Sequence, residues 1–342
     1  MRGQQAASNN LELDVDVERR CLMVAAARGH VSLMATTTTT THEIEERESV
    51  LRGAWHDTTG EQAHRAVVQR FDLIAPNALA VATTSDGHMV LAEFNNQRVT
   101  VLDARDGRVI ASFGSLGSRD AQFNRPTGVA VDRQSGHIVV ADCDNHRVQV
   151  FTSDGSFVRA FGIEGHDDGE FNRPFGVAVD PQHGHIVVSD TALHRVQVFT
   201  SDGSFVRAFG AHGDGVGELN NPVGVAIDPR NGDIVVADTM NHRLQVFTSD
   251  GTFVRSIGTE GSDAGEFMYP RSVAIDRRGR MAVADNGNER IQVLDASDGR
   301  HLAVYDSSDC AQAVAFTDDG HLIMLERTRA QVLALPNEFQ SS

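Results

Sequence analysis

The hydrophobic residues of this chain fall in short runs with the period of strands. From Phe123 onward the segments GVAVD, HIVVAD, HRVQVF and SFVRAFG recur in that order, rich in Val, Phe and Ile and separated by turn signals such as Ser-Asp-Gly. Apolar runs of this length, bounded by Gly, Asp and Ser, read as strands, and no helical period interrupts them. The order is itself periodic: FNRPTGVAVD begins at Phe123, FNRPFGVAVD at Phe171, LNNPVGVAID at Leu219 and FMYPRSVAID at Phe267, each 48 residues after the last. A fixed period of this size marks one supersecondary unit stacked on copies of itself. Four strands per unit describe a propeller blade.

Weaker copies flank the four clear ones. Upstream, residues 76–114 match with one residue extra, VLAEFNNQRVTVLD standing for the second and third strands. Downstream, the blade that starts at Pro270 runs to about Tyr305, and a shorter unit follows with AVAFT at 313–317, HLIMLE at 321–326 and AQVLAL at 330–335. This last unit lacks an outermost strand, and RAVVQRF at 65–71 has the missing pattern. Pairing the two ends would remove an open sheet edge, which is an aggregation liability. The expected fold is therefore all-β: a six-bladed propeller of four-stranded blades over residues 65–335, closed by an N-terminal strand, with 336–342 as a tail. Residues 1–64 read as a low-complexity, partly helical extension. They hold a six-threonine run at Thr36–Thr41, a helix start at Thr41 with Glu43, Glu45 and Glu46 in its first turn, and a stop at Gly53. A stretch at 22–34 resembles part of an ankyrin repeat, but one fragment has nothing to stack on.

The segment VADTMNHRLQVF at 236–247, with its copies, resembles the NHL repeat. No Trp-Asp closes any strand, as WD40 blades require, and the double glycine of Kelch blades is absent; the single tryptophan, Trp55, precedes the array. The resemblance implies one of three roles. NHL propellers serve as recognition domains of tripartite-motif-like and malin-like ubiquitin ligases, as RNA-binding domains, and as the catalytic domain of peptidyl-amidoglycolate lyases.

Charge and cysteine content narrow these roles. The formal net charge of −17 opposes non-specific binding to nucleic acid or anionic lipid. Cys21, Cys143 and Cys310 lie far apart, so neither a zinc finger, a RING nor a disulfide framework is expected. The run 21–35 is broken by Arg28, Gly29 and His30 and is too short to span a bilayer, so a soluble, cytoplasmic protein is expected.

Features that recur in every blade are first explained by folding, and features that differ between equivalent positions are where function can reside. The recurring polar feature is an acid followed five residues later by arginine: Glu93 and Arg98, Asp142 and Arg147, Asp190 and Arg195, Asp238 and Arg243, Asp285 and Arg290, with Glu326 and Arg329 in a shorter loop. These pairs read as braces of each blade rather than as a cation ring. His146, His194 and His242 recur in the same way, and no metal site is expected of them. The residue that opens each innermost strand does not recur: Asn77, Thr127, Phe175, Val223, Arg271 and Gln312 form a candidate partner-binding ring at the channel mouth. The interblade loops at 115–126, 163–174, 211–222 and 259–270 share that face and carry +1, −3, −2 and −3, with Glu164, Asp167, Asp168, Asp214 and Glu260 among the acids.

These features favour a monomeric, non-catalytic module, without cofactor or metal, that recognises a protein or peptide with basic features. If it serves ubiquitination, another chain supplies the RING. An amidating-lyase or lactonase-like enzyme using the channel is the second reading, and single-stranded RNA binding, which the acidic loops oppose, is the third.

Overall fold

The computed structural model describes residues 66–72 and 78–336. The expectations for residues 1–64, for Asn77 and for the tail beyond Pro336 lie outside the described residues. Six four-stranded antiparallel sheets are arranged as blades. From the channel outward, blade 1 comprises Ala78–Thr83, His88–Glu93, Arg98–Asp103 and Val109–Phe113, and blade 2 comprises Pro126–Val131, Ile138–Asp142, Arg147–Phe151 and Phe157–Phe161. Blades 3, 4 and 5 repeat the plan from Pro174–Val179, Pro222–Ile227 and Pro270–Ile275. Blade 6 takes Ala313–Phe316, Leu322–Leu325 and Arg329–Ala334 from the end of the chain, and its outermost strand is Ala66–Asp72. That strand pairs antiparallel with its neighbour from Ala66 opposite Ala334 to Asp72 opposite Arg329, closing the ring as the pattern of the sequence predicts.

Aromatic side chains join consecutive blades. Phe151, fully buried in the third strand of blade 2, meets Phe113 from the outer strand of blade 1 at 4.9 Å, Phe123 of the incoming loop at 5.5 Å and Phe157 at 5.9 Å. Phe199 repeats the cluster one blade on, with Phe161 at 4.8 Å and Phe171 at 5.4 Å. Burying one such ring stabilises by roughly 1.5–3 kcal/mol, so the repeated phenylalanines hold blade to blade as much as they fill any blade. At the axis the spacing is set by absent side chains. A Cβ on Gly128 would lie 2.2 Å from the Phe175 carbonyl oxygen, and one on Gly176 would lie 2.2 Å from that of Val223. Innermost strands of adjacent blades approach that closely only because these positions are glycine.

Blade 1 departs from its copies in register. Ala78 pairs with Glu93 as Pro126 pairs with Asp142, which places Leu79 rather than Asn77 at the position equivalent to Thr127. The described strand begins at Ala78, and the turn between the first two strands is one residue shorter in blade 1 than in blade 2.

Closure makes a testable difference between two truncations. Removing residues 1–60 leaves Ala66–Asp72 in place, whereas removing 1–72 strips blade 6 of its outermost strand and bares the edge of Arg329–Ala334. The longer truncation is expected to melt well below the shorter one and to self-associate in size-exclusion chromatography. Equal melting temperatures would contradict the closure.

Candidate functional site

The recurring acids are buried, and each holds the chain in place. In blade 2 the Asp142 carboxylate is fully buried; Oδ1 accepts the backbone N–H of Asn124 at 2.7 Å, and Oδ2 accepts from Asn145 at 2.9 Å, Arg147 at 2.8 Å and Gln149 at 3.0 Å. Asn124 follows Phe123 in the loop arriving from blade 1, so the carboxylate ties that loop to its own blade. Arg147 then donates to the carbonyls of Arg119 and Gln122 in the same loop. Asp238 and Asp285 repeat the arrangement, accepting the N–H of Asn220 at 2.6 Å and of Met268 at 2.7 Å. Glu326 accepts that of Ser308 at 2.7 Å, and Glu93 pairs with Arg98 at 2.8 Å. Glu326 and Arg329 stand farther apart, at 3.8 Å.

Blade 3 is the loose copy. Arg195 stands 4.0 Å from Asp190, and its Nε is buried without a hydrogen-bond partner. Asn145, Asn241 and Asn288 each donate both to the blade acid and to a loop glycine carbonyl, but blade 3 has Leu193 at that position. Asp190 instead takes the backbone N–H groups of Asn172 and Arg173. Burial pushes the carboxyls of Asp142 and Asp190 above the usual carboxylate range, against the hydrogen bonds that pull them down.

Histidine closes a second link between blades. His194 Nδ1 accepts the N–H of Asn221 at 3.1 Å, and His242 Nδ1 accepts that of Tyr269 at 3.2 Å. In blade 1 the same bond is made by Gln97, whose Oε1 accepts the N–H of Arg125. Gln97, His194 and His242 all have φ of 55°. Accepting at Nδ1 requires neutral imidazole, and burial lowers both histidine pKa values. In blade 2, by contrast, His146 Nδ1 lies 2.6 Å from the carbonyl of Asn172.

The innermost strands enclose a channel with a cavity of about 290 Å³. Of the candidate ring, Thr127, Phe175, Val223 and Arg271 line it, with Leu79 at the blade 1 position. Thr127 is fully buried and donates to the carbonyls of Pro174 and Phe175. Phe175 is only 7% exposed, and the Arg271 guanidinium stands 5.6 Å from its ring centroid. These two residues belong to blades 3 and 5, so the contact reaches past blade 4 at the loop-side mouth. Gln312 is buried and lies outside the cavity lining.

Three exposed apolar side chains on the loop face escape the strand-based reading: Leu116, Ile163 and Val216, at 68%, 65% and 76% exposure. Comparing loop positions 48 residues apart exposes them. Ile163 stands where the other loops have Ser115, Ala211 and Thr259, and Leu116 stands where they have Glu164, His212 and Glu260. Glu164, Asp167, Asp168, Asp214 and Glu260 are exposed on the same loops. Glu170, Glu218 and Glu266 instead fold back onto backbone N–H groups of their own loops. Among the described residues, no three His, Cys, Asp or Glu side chains stand close enough together to hold a metal ion.

In blades 2 and 4 the asparagine, histidine and arginine beside the buried acid are consecutive, at 145–147 and 241–243. A family model described as the NHL repeat matches residues 123–151 and 171–199. The chain carries NHL repeats in a six-bladed propeller. A second family model, described as a 6-bladed beta-propeller, matches residues 226–331. Among curated relatives, Protein brain tumor of Drosophila melanogaster is 36% identical over 77 residues, 22% of this chain and 7% of the relative. The B-box type zinc finger protein ncl-1 of Caenorhabditis elegans is 55% identical over 42 residues, covering 12% and 5%. E3 ubiquitin-protein ligase TRIM71 of Bos taurus is 58% identical over 40 residues, covering 12% and 4%. The matches thus span less than a tenth of each relative's length. Among solved structures, a gluconolactonase from Xanthomonas campestris superposes with a TM-score of 0.59 at 19% identity, over 77% of this chain and 87% of that one. A streptogramin B lyase gives 0.57 at 12%, over 78% and 97%. At these identities the likeness is one of fold.

Two outcomes follow from the clusters. Asp238→Ala strands the side chains of Asn241, Arg243 and Gln245 and the N–H of Asn220, and is expected to cost roughly 3 kcal/mol in chemical denaturation. Leu193→Asn supplies the donor that blade 3 lacks and is expected to stabilise by about 1 kcal/mol. A neutral Asp238→Ala would show that the acid is not a brace.

The histidines predict a pH dependence. Their folded-state pKa values lie below the ordinary 6.5, so the unfolded chain binds protons more readily. Stability is full above that value and falls as pH drops below it. His194→Gln with His242→Gln, copying blade 1, is expected to flatten melting temperature against pH below 6.5, leaving the part due to His301, which burial also depresses. An unaltered slope would remove the two histidines from the account.

Proposed function

We propose that the NHL propeller is a non-catalytic interaction module whose loop face takes a protein or peptide segment carrying basic and apolar side chains. The observation that carries this reading is the combination on that face of Leu116, Ile163 and Val216 with the exposed acids of the same loops. Single exposed apolar residues are ordinary, but large ones concentrated on the loops of one face mark a contact surface. Exposed carboxylates around them favour cationic groups and speed their encounter. Half-buried Val223 and Arg271 stand at the channel mouth on this face. Phe175 is engaged by Arg271 and supports the surface from beneath.

The finer form of the proposal is substrate recognition in a ubiquitin-ligase system whose RING lies on another chain, in keeping with the local similarity to TRIM71. Proximity labelling with the intact chain, against Leu116→Ser with Ile163→Ser and Val216→Ser, tests the module. The substitutions are expected to weaken partner binding by about 2 kcal/mol or more with melting unchanged. Charge reversal of Asp167 and Asp168 is expected to slow association and reduce its salt dependence. Partners retained by both variants, but lost when the turns at 181–185 and 229–233 are altered, would move the site to the opposite face.

A further inference from the structure

The far end of the channel has a different chemistry. The innermost strands finish there in Thr83, Val131, Val179, Ile227, Ile275 and Phe316, which all line the cavity. Beyond this apolar collar come the turns, which bring Arg133, Arg277 and Arg278 to the rim.

Three arginines line this mouth against two carboxylates, Asp276 and Asp318. Asp318 is paired with Arg133, which also donates to Thr83. Asp276 is buried against Arg280 at 2.6 Å, and Asp228 is held by Arg230 at 2.6 Å. Each of these carboxylates therefore has its own guanidinium. Arg277 and Arg278 are exposed, and among the described residues neither guanidinium has an acidic partner within ion-pair distance. Arg278 approaches Gly320 beside Arg280, whose own charge is met by Asp276. At the other end, Arg271 stands over the ring of Phe175. The result is a channel with a largely aliphatic collar and, at its turn-side mouth, two arginines without acidic partners among the described residues, on a chain whose overall charge is −17.

We propose that the channel binds a small organic anion from the turn side, its apolar body inside the collar and its carboxylate against Arg277 and Arg278. A pocket that combines apolar wall with a few convergent polar groups is the usual form of a small-molecule site, and a cavity of about 290 Å³ suits a short chain or a single ring. Planar guanidinium groups that are not neutralised within the protein match a carboxylate in geometry and charge. The site lies on the face opposite the acidic loops, so it can be filled while a partner occupies them.

The experiment is calorimetric titration of the full chain with octanoate, with octanol as the same body without charge and acetate as the head without the body. Octanoate is expected to bind, with octanol and acetate at least about tenfold weaker. Arg277→Gln with Arg278→Gln is expected to weaken octanoate at least about tenfold while leaving octanol and the melting temperature unchanged. A spin-labelled octanoate should broaden the methyl resonances of Val179, Ile227 and Ile275. No binding of octanoate, equal binding of octanol, full affinity in the double variant, or broadening confined to other surfaces would each overturn the proposal.

Discussion

The structure depends on a buried carboxylate that binds the loop arriving from the neighbouring blade. An ionised group inside a protein is tolerated only when its oxygens are matched by donors, and Asp142, Asp238 and Asp285 meet that condition with asparagine, arginine, glutamine and one backbone N–H each. The backbone donor comes from outside the blade's own sheet, so satisfying the charge and positioning the loop are one event. Repetition of the carboxylate around the ring holds the interblade loops in the same relation to their blades. A face built this way differs from blade to blade only in what its loop side chains present.

Apolar packing supplies the complementary constraint. Phe151 and Phe199 each receive a ring from the preceding blade, so a blade removed from its neighbours would expose aromatic surface on both sides. Such an array is stable only when closed or capped, and Ala66–Asp72 completes it by pairing with Arg329–Ala334. The first strand in the chain is thus the last strand of the ring. The glycines at the axis, Gly128 and Gly176, let the innermost strands approach until only a narrow channel remains.

Features that repeat are the ones legible in the sequence. The period of 48 residues, the strands within it and the missing outer strand of the last unit were all visible as pattern, and the pairing of Ala66 with Ala334 matches the pattern. The acid and arginine pairs were visible as residue types, but the weak copy in blade 3 was not. Its cause is Leu193 in place of an asparagine, a difference that gains meaning only once the asparagine is seen donating to the acid and to the loop. The channel mouth was legible as a list of unlike residues and illegible as geometry. Phe175 and Arg271 are two blades apart, and only the stacking of consecutive blades around the channel brings a guanidinium over that phenyl face. Pro76 drew Asn77 into the ring, whereas strand pairing puts Leu79 there. The unpaired arginines of the turn side could not be separated from paired ones by sequence alone, because their balance depends on contacts such as Arg133 with Asp318, residues 185 positions apart.

The account stands on the carboxylate as the fastening between loop and blade, and amide hydrogen exchange reads that fastening directly. In the intact protein the amides of Asn124, Asn220 and Met268, each bonded to a buried acid, should exchange far more slowly than exposed loop amides. In Asp238→Asn, protection should fall at Asn220 and across residues 211–222, while Asn124 and Met268 keep theirs. Unchanged protection at Asn220, or an equal loss at all three amides, would contradict the claim that each carboxylate fastens its own loop.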